Sequence, residues 1–92
     1  MSEISLEHPF EQNKQDFILI EIETGFTFAT VAADSHDRET SARNLRNARK
    51  AYDTARHFLA KHDVHPAAKH EAETKLAKLK HTLMQLGETF QE

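Results

Sequence analysis

The residues with most obvious chemical potential gather around KHDVHPAAKH, where His57, His62, His65 and His70 lie close to Asp63 and Glu71. Imidazoles beside carboxylates are the donor set of a zinc or other divalent-metal site. The spacing argues for something plainer. A helical ligand pair needs two histidines four residues apart, as in H-E-x-x-H, and that motif is missing. His62 closes one helical segment and His65 opens the next, so these histidines read as solvated loop and cap residues. No metal ligand and no cofactor is assigned. With seven histidines, mild acidification moves the net charge from −3 toward +4. Zero cysteines removes thiol nucleophiles, Cys-ligated zinc and any disulfide framework. There is also no glycine-rich phosphate loop and no G-x-S-x-G, and the acids fall on outward phases of helices. The expectation is a protein that is not an enzyme.

A second cluster is basic. Arg38, Arg43, Arg46, Arg49 and Lys50 open one helical segment, with Asn44 and Asn47 between them. Such a stripe is what a helix offers to nucleic-acid phosphates. The helix dipole would prefer acids there, so these cations need partners. The chain as a whole is acidic, with pI near 6.1, and its halves are opposed. Residues 1–37 carry eight acids against Lys14 alone, a net −7, and residues 38–92 carry eleven bases and seven acids, a net +4. Opposed halves predict pairing within the fold or with a protein partner, and nucleic acid becomes the alternative.

Those groups must be positioned by elements, and the start and stop signals are legible. At 92 residues the chain is one domain with one modest core. Only 2 glycines and 2 prolines favour long helices over a turn-rich β fold. His8-Pro9 and His65-Pro66 each place proline at a helix's first position, where its missing N–H costs nothing. Ser35, Asp37 or Thr40 can cap another start, and Gly87 can take the left-handed position after a helix end. The expected helices are 9–34, 38–62 and 66–86. Leu45, Ala48, Tyr52, Ala55, Leu59 and His62 are spaced 3,4,3,4,3, and Ala72, Leu76, Leu79, Leu83, Leu86 and Phe90 are spaced 4,3,4,3,4, one amphipathic seam each.

The stretch FILIEIETGFTFATVAA fits two periods. In steps of two it is a β-hairpin turning at Thr24-Gly25; in steps of three and four it is a helix burying Leu19, Ile22, Phe26, Ala29 and Ala33. A lone hairpin is marginal in water and Thr-Gly is not a favoured two-residue turn, so the helix is expected. Gly25 costs about 1 kcal/mol of helix propensity, but with Ala29 it lets a neighbouring backbone approach closely. The predicted fold is therefore all-α, an antiparallel up-down-up three-helix bundle with short loops.

RNLRNARKAYDTA (43–55), ETGFTFA (23–29) and LAKLKHTLMQLGE (76–88) together resemble a set of small bacterial helical proteins to which no activity is attached. The resemblance spans most of residues 21–88 and implies the three-helix fold alone. A looser likeness to tetratricopeptide helix pairs rests on Ala/Tyr/Leu periodicity, without the ~34-residue repeat of that family.

As a helix, the first segment is apolar on a second side as well, along Phe17, Ile20, Thr24, Phe28 and Val31. Phe17, Ile20, Phe28 and Val31 are the expected contact surface, pairing as an isologous homodimer or entering the groove of another helical protein. The expected function is a non-catalytic protein–protein interaction module. The N-terminus lacks a basic and apolar leader, and the longest unbroken apolar run is Phe17 to Ile20. No membrane span and a cytoplasmic location are expected.

Overall fold

The computed structural model describes residues 9–91. Among them three helices and no strand are found: α1 (Pro9–Asp34), α2 (Arg38–Lys61) and α3 (Pro66–Gln85). Two of the expected ends move by a single residue. The stretch 17–31 lies wholly inside α1, so the hairpin alternative is excluded.

Local chemistry explains each boundary. Asp37 sits in extended backbone at φ −90° and ψ 120°, and its Oδ2 accepts from the Thr40 N–H at 2.9 Å and from the Thr40 hydroxyl, capping α2. The Asp37 N–H in turn donates to Ser35 Oγ at 3.2 Å, which fixes the turn between α1 and α2. At the far end the His62 N–H reaches the Phe58 carbonyl at 3.1 Å. His65 then caps α3, its Nδ1 accepting from the Ala67 N–H at 3.2 Å, with Pro66 in the first turn. Beyond α3, Glu88 N–H donates to the Leu83 carbonyl at 3.0 Å and Gly87 N–H to that of Met84 at 3.1 Å. That pair of bonds around a residue at φ +107° is a Schellman motif.

The helices alternate in direction. Phe17 packs on Phe58 with ring centres 4.7 Å apart, and Lys14 Nζ donates to the Asp63 carbonyl at 3.2 Å, so the start of α1 meets the end of α2. At the other end Ser41 Oγ donates to the Ala32 carbonyl at 2.7 Å. The tail after α3 returns to α2 at Tyr52 and Arg49, which makes α3 antiparallel to α2.

The α1 side of the core passes from large residues to small ones along the helix. Ile18, Ile22, Gly25, Ala29 and Ala32 are buried on α1, and Ala48, Ala51, Tyr52, Ala55 and Leu59 on α2. The expected α1 seam was thus off in phase. Ile22 and Ala29 belong to it, but Leu19 and Phe26 are only half-buried beside it and Ala33 is exposed. The reason is steric: Gly25 and Ala29 sit at the helix–helix contact, where bulk cannot go, and Phe26 and Phe28 flank it. A Cβ built on Gly25 would lie 2.7 Å from Leu79 Cδ2 and 3.5 Å from both the Ala48 carbonyl and Ala51 Cβ. Leu76, Leu79 and Leu83 of α3 then fill the cleft between α1 and α2, each contributing roughly 1.5–3 kcal/mol by burial.

Candidate functional site

Three surfaces carry the residues singled out in the sequence. The first is the outer face of α1. Ile20 is 58% exposed, Val31 42% and Phe17 38%, while Phe28 is half-buried and packs partly against the core. At 100° per residue Ile20 and Val31 lie about 20° apart in azimuth, on the side opposite Ile18 and Ile22. Helical geometry alone keeps them out of the bundle. Exposed Asp16, Glu23 and Asp34 border this stripe on one side, and half-buried Glu21 borders it on the other.

The second surface is the start of α2. Arg38, Arg43, Arg46 and Lys50 are exposed, but the five cations do not form one face. Arg43, Arg46 and Lys50 point outward together; Arg49 lies to one side of them, toward α3. There its Nε donates to Asp53 at 3.1 Å, and its Nη1 donates to Glu88 Oε1 at 2.9 Å and to the Thr89 carbonyl at 2.8 Å. Its guanidinium also lies 4.0 Å from the centre of the Phe90 ring. Burial alone would lower the pKa of Arg49; the bonds to Asp53 and Glu88 outweigh it and hold the value raised. The partners of Arg49 thus come from α2 and the C-terminal tail, not from α1. The guanidinium is a strap for that tail.

The third is a groove between α2 and α3 that sequence reasoning missed. Because α3 inserts its leucines between α1 and α2, its other edge stands away from α2 and leaves a hollow of about 480 Å³. Leu59 and Leu76 form its floor, and Arg56, Lys69, Lys80 and Glu73 its walls. Tyr52, 4% exposed, reaches the groove with its hydroxyl, which accepts from Arg56 Nη1 at 3.3 Å. A second hollow of about 200 Å³ shares Tyr52, Arg56 and Lys80 and ends at Phe90 and Gln91. One signal was available in the sequence: Lys69 and Lys80 are eleven residues apart, close to three whole turns, and so share an edge of α3.

No family, curated protein or solved structure matches the chain. Among the described residues no three of His, Asp and Glu come together as a metal-binding group. His62 stacks on Phe58 at 4.2 Å, His65 is engaged as a cap, and His57 and His70 are exposed on α2 and α3. No described helix is long and apolar enough to cross a membrane.

Proposed function

We propose that this protein is a non-catalytic helical interaction module that associates with itself through the exposed face of α1. The observation that carries this reading is the alignment of Ile20, Val31 and Phe17 on one side of a helix whose other side is already buried. Isolated apolar residues on a surface need no explanation, but a row nearly four turns long is characteristic of a contact face. Phe28 forms the inner margin of that row. A homodimer is the simplest product, and a groove on another helical protein is the alternative occupant. The absence of cysteine suits a reducing cytoplasm. Binding of nucleic acid through Arg38, Arg43, Arg46, Arg49 and Lys50 is the weaker reading, because Arg49 is committed to Asp53, Glu88 and Phe90.

The test is solution mass as a function of concentration for the parent and for Ile20→Lys/Val31→Lys, two exposed positions whose change leaves the core intact. Association of the parent that is lost in the variant is expected. A parent that stays monomeric at the highest soluble concentration sinks the proposal. A low-salt mobility shift with duplex DNA or RNA that disappears on Arg43→Glu/Lys50→Glu would move the reading to nucleic acid.

A further inference from the structure

Resting on that reading of α1, we infer that the surface receiving it is the α2–α3 groove of a second copy, so that association is head-to-tail and not symmetric. Two observations point there. The first is charge. In α1, Glu21, Glu23 and Asp34 stand around the apolar stripe. Setting α1 against α1 would bring these acids together, which works against an isologous pair. The α2–α3 groove has the opposite character: an apolar floor at Leu59 and Leu76, and three cations, Arg56, Lys69 and Lys80, to the one carboxylate Glu73, with Lys80 already lying 5.3 Å from the Phe90 ring at the groove's end. An apolar helix face flanked by acids fits an apolar groove walled by bases.

The second observation is register. Glu23 and Asp34 are eleven residues apart on one flank of the stripe, as Ile20 and Val31 are within it. Lys69 and Lys80 are eleven residues apart on the α3 wall. Each pair spans about 16 Å at 1.5 Å per residue, so both acids can meet both lysines at once while Ile20 and Val31 enter the groove.

The two surfaces cannot meet within one molecule. The α1 stripe points away from the core, and the groove opens on the side of α2 and α3 remote from α1. Each copy offers one helix face and one groove, so association adds copies in a row and leaves both ends open. The assembly grows with concentration beyond a dimer.

Sedimentation velocity at low ionic strength on three samples tests this, with far-UV circular dichroism confirming that each variant is folded. Ile20→Lys/Val31→Lys retains only its groove, and Lys69→Glu/Lys80→Glu retains only its α1 face. Each alone is expected to be monomeric, with association weakened at least about tenfold. Their mixture is expected to give a 1:1 complex that grows no further. Should the second variant fail to fold, Lys69→Gln/Lys80→Gln takes its place. A groove variant that still dimerises alone, or a mixture that forms no complex while the parent associates, overturns the groove and favours the symmetric pair. A parent that never associates overturns the self-association reading itself. Restored association between Glu23→Lys/Asp34→Lys and Lys69→Glu/Lys80→Glu would establish the register.

Discussion

Gly25→Ala gives the sharpest test of how the bundle is packed. Elsewhere in a helix this change stabilises, by about 1 kcal/mol, because alanine has the higher helix propensity. Here the new methyl would lie 2.7 Å from Leu79 Cδ2, well inside the roughly 3.5–4.0 Å of a carbon–carbon contact. Leu79 is fully buried between α1 and α2, so it can yield only by moving α3 or leaving its rotamer. Overpacking of this kind costs about 1–3 kcal/mol, which exceeds the propensity gain over most of its range. Net destabilisation of up to about 2 kcal/mol is expected, and at roughly 4–8 °C per kcal/mol that is a clear fall in melting temperature. The decisive comparison is Gly25→Ala in a Leu79→Ala background. Leu79→Ala alone should cost about 2–5 kcal/mol and leave space at the same spot. In that background the Gly25→Ala methyl meets no leucine and lies 3.5 Å from Ala48 and Ala51, an ordinary contact. Its effect should therefore change sign and become stabilising. Urea denaturation of the four proteins measures the cycle, with an expected coupling of about 1–3 kcal/mol. If Gly25→Ala stabilises the parent as much as it stabilises the Leu79 variant, the close approach of α3 to Gly25 is wrong.

Arg49→Ala should cost about 1–2 kcal/mol by releasing Glu88, Thr89 and Phe90 together, and Arg49→Lys should recover only part because it loses the planar fork; thermal melts decide this. Gly87→Ala should cost about 1–2 kcal/mol, since its φ of +107° disfavours a Cβ although nothing lies within 4 Å of one. Urea titration at neutral pH reads that loss. Asp37→Ala should lower the melting temperature at neutral pH by removing the α2 cap. The Thr40 hydroxyl, then the Thr40 N–H, holds the Asp37 pKa below its ordinary 3.8, so the folded state favours the carboxylate. That contribution is present above 3.8 and is lost as the pH falls through the lowered folded value. Parent and variant should converge in acid, and a gap that stays constant from neutral pH to well below 3.8 would refute the assignment.

Helix ends were legible in the sequence because each is set by a few adjacent residues: proline at 9 and 66, Asp37 between α1 and α2, and Gly87 after α3. The α2 and α3 seams were legible because the large apolar residues, the exposed Met84 apart, fall on one face. Ala48, Tyr52, Ala55, Leu59, Ala72, Leu76, Leu79 and Leu83 are all buried as their spacing requires. His62 and Phe90 continue the spacing on paper but lie past the helix ends. His62 is an exposed cap, and Phe90 reaches Tyr52, at 5.1 Å, by way of the turn at Gly87. In α1 the periodicity was ambiguous because apolar residues surround much of the helix. Size broke the tie: the close contact selected Gly25, Ala29 and Ala32, and left Leu19 and Phe26 at the edge. The groove between α2 and α3 depends on how far apart two helices stand, a distance that no local pattern encodes.

The small-residue seam also bears on how the chain finds its fold. Glycine and alanine surrender almost no rotamer freedom on burial, so closing α1 onto α2 at Gly25, Ala29, Ala48 and Ala51 orders few side chains at that point. The loop between them, residues 35–37, is short, and its closure entropy is correspondingly low. Both factors favour an early α1–α2 hairpin, with α3 docking its leucines afterwards and the Arg49 strap fastening last. Mutations at Ala48 or Ala51 should then slow folding, whereas mutations at Arg49 or Phe90 should chiefly speed unfolding. The chain's last residues would govern how long the native state survives while contributing little to how fast it forms.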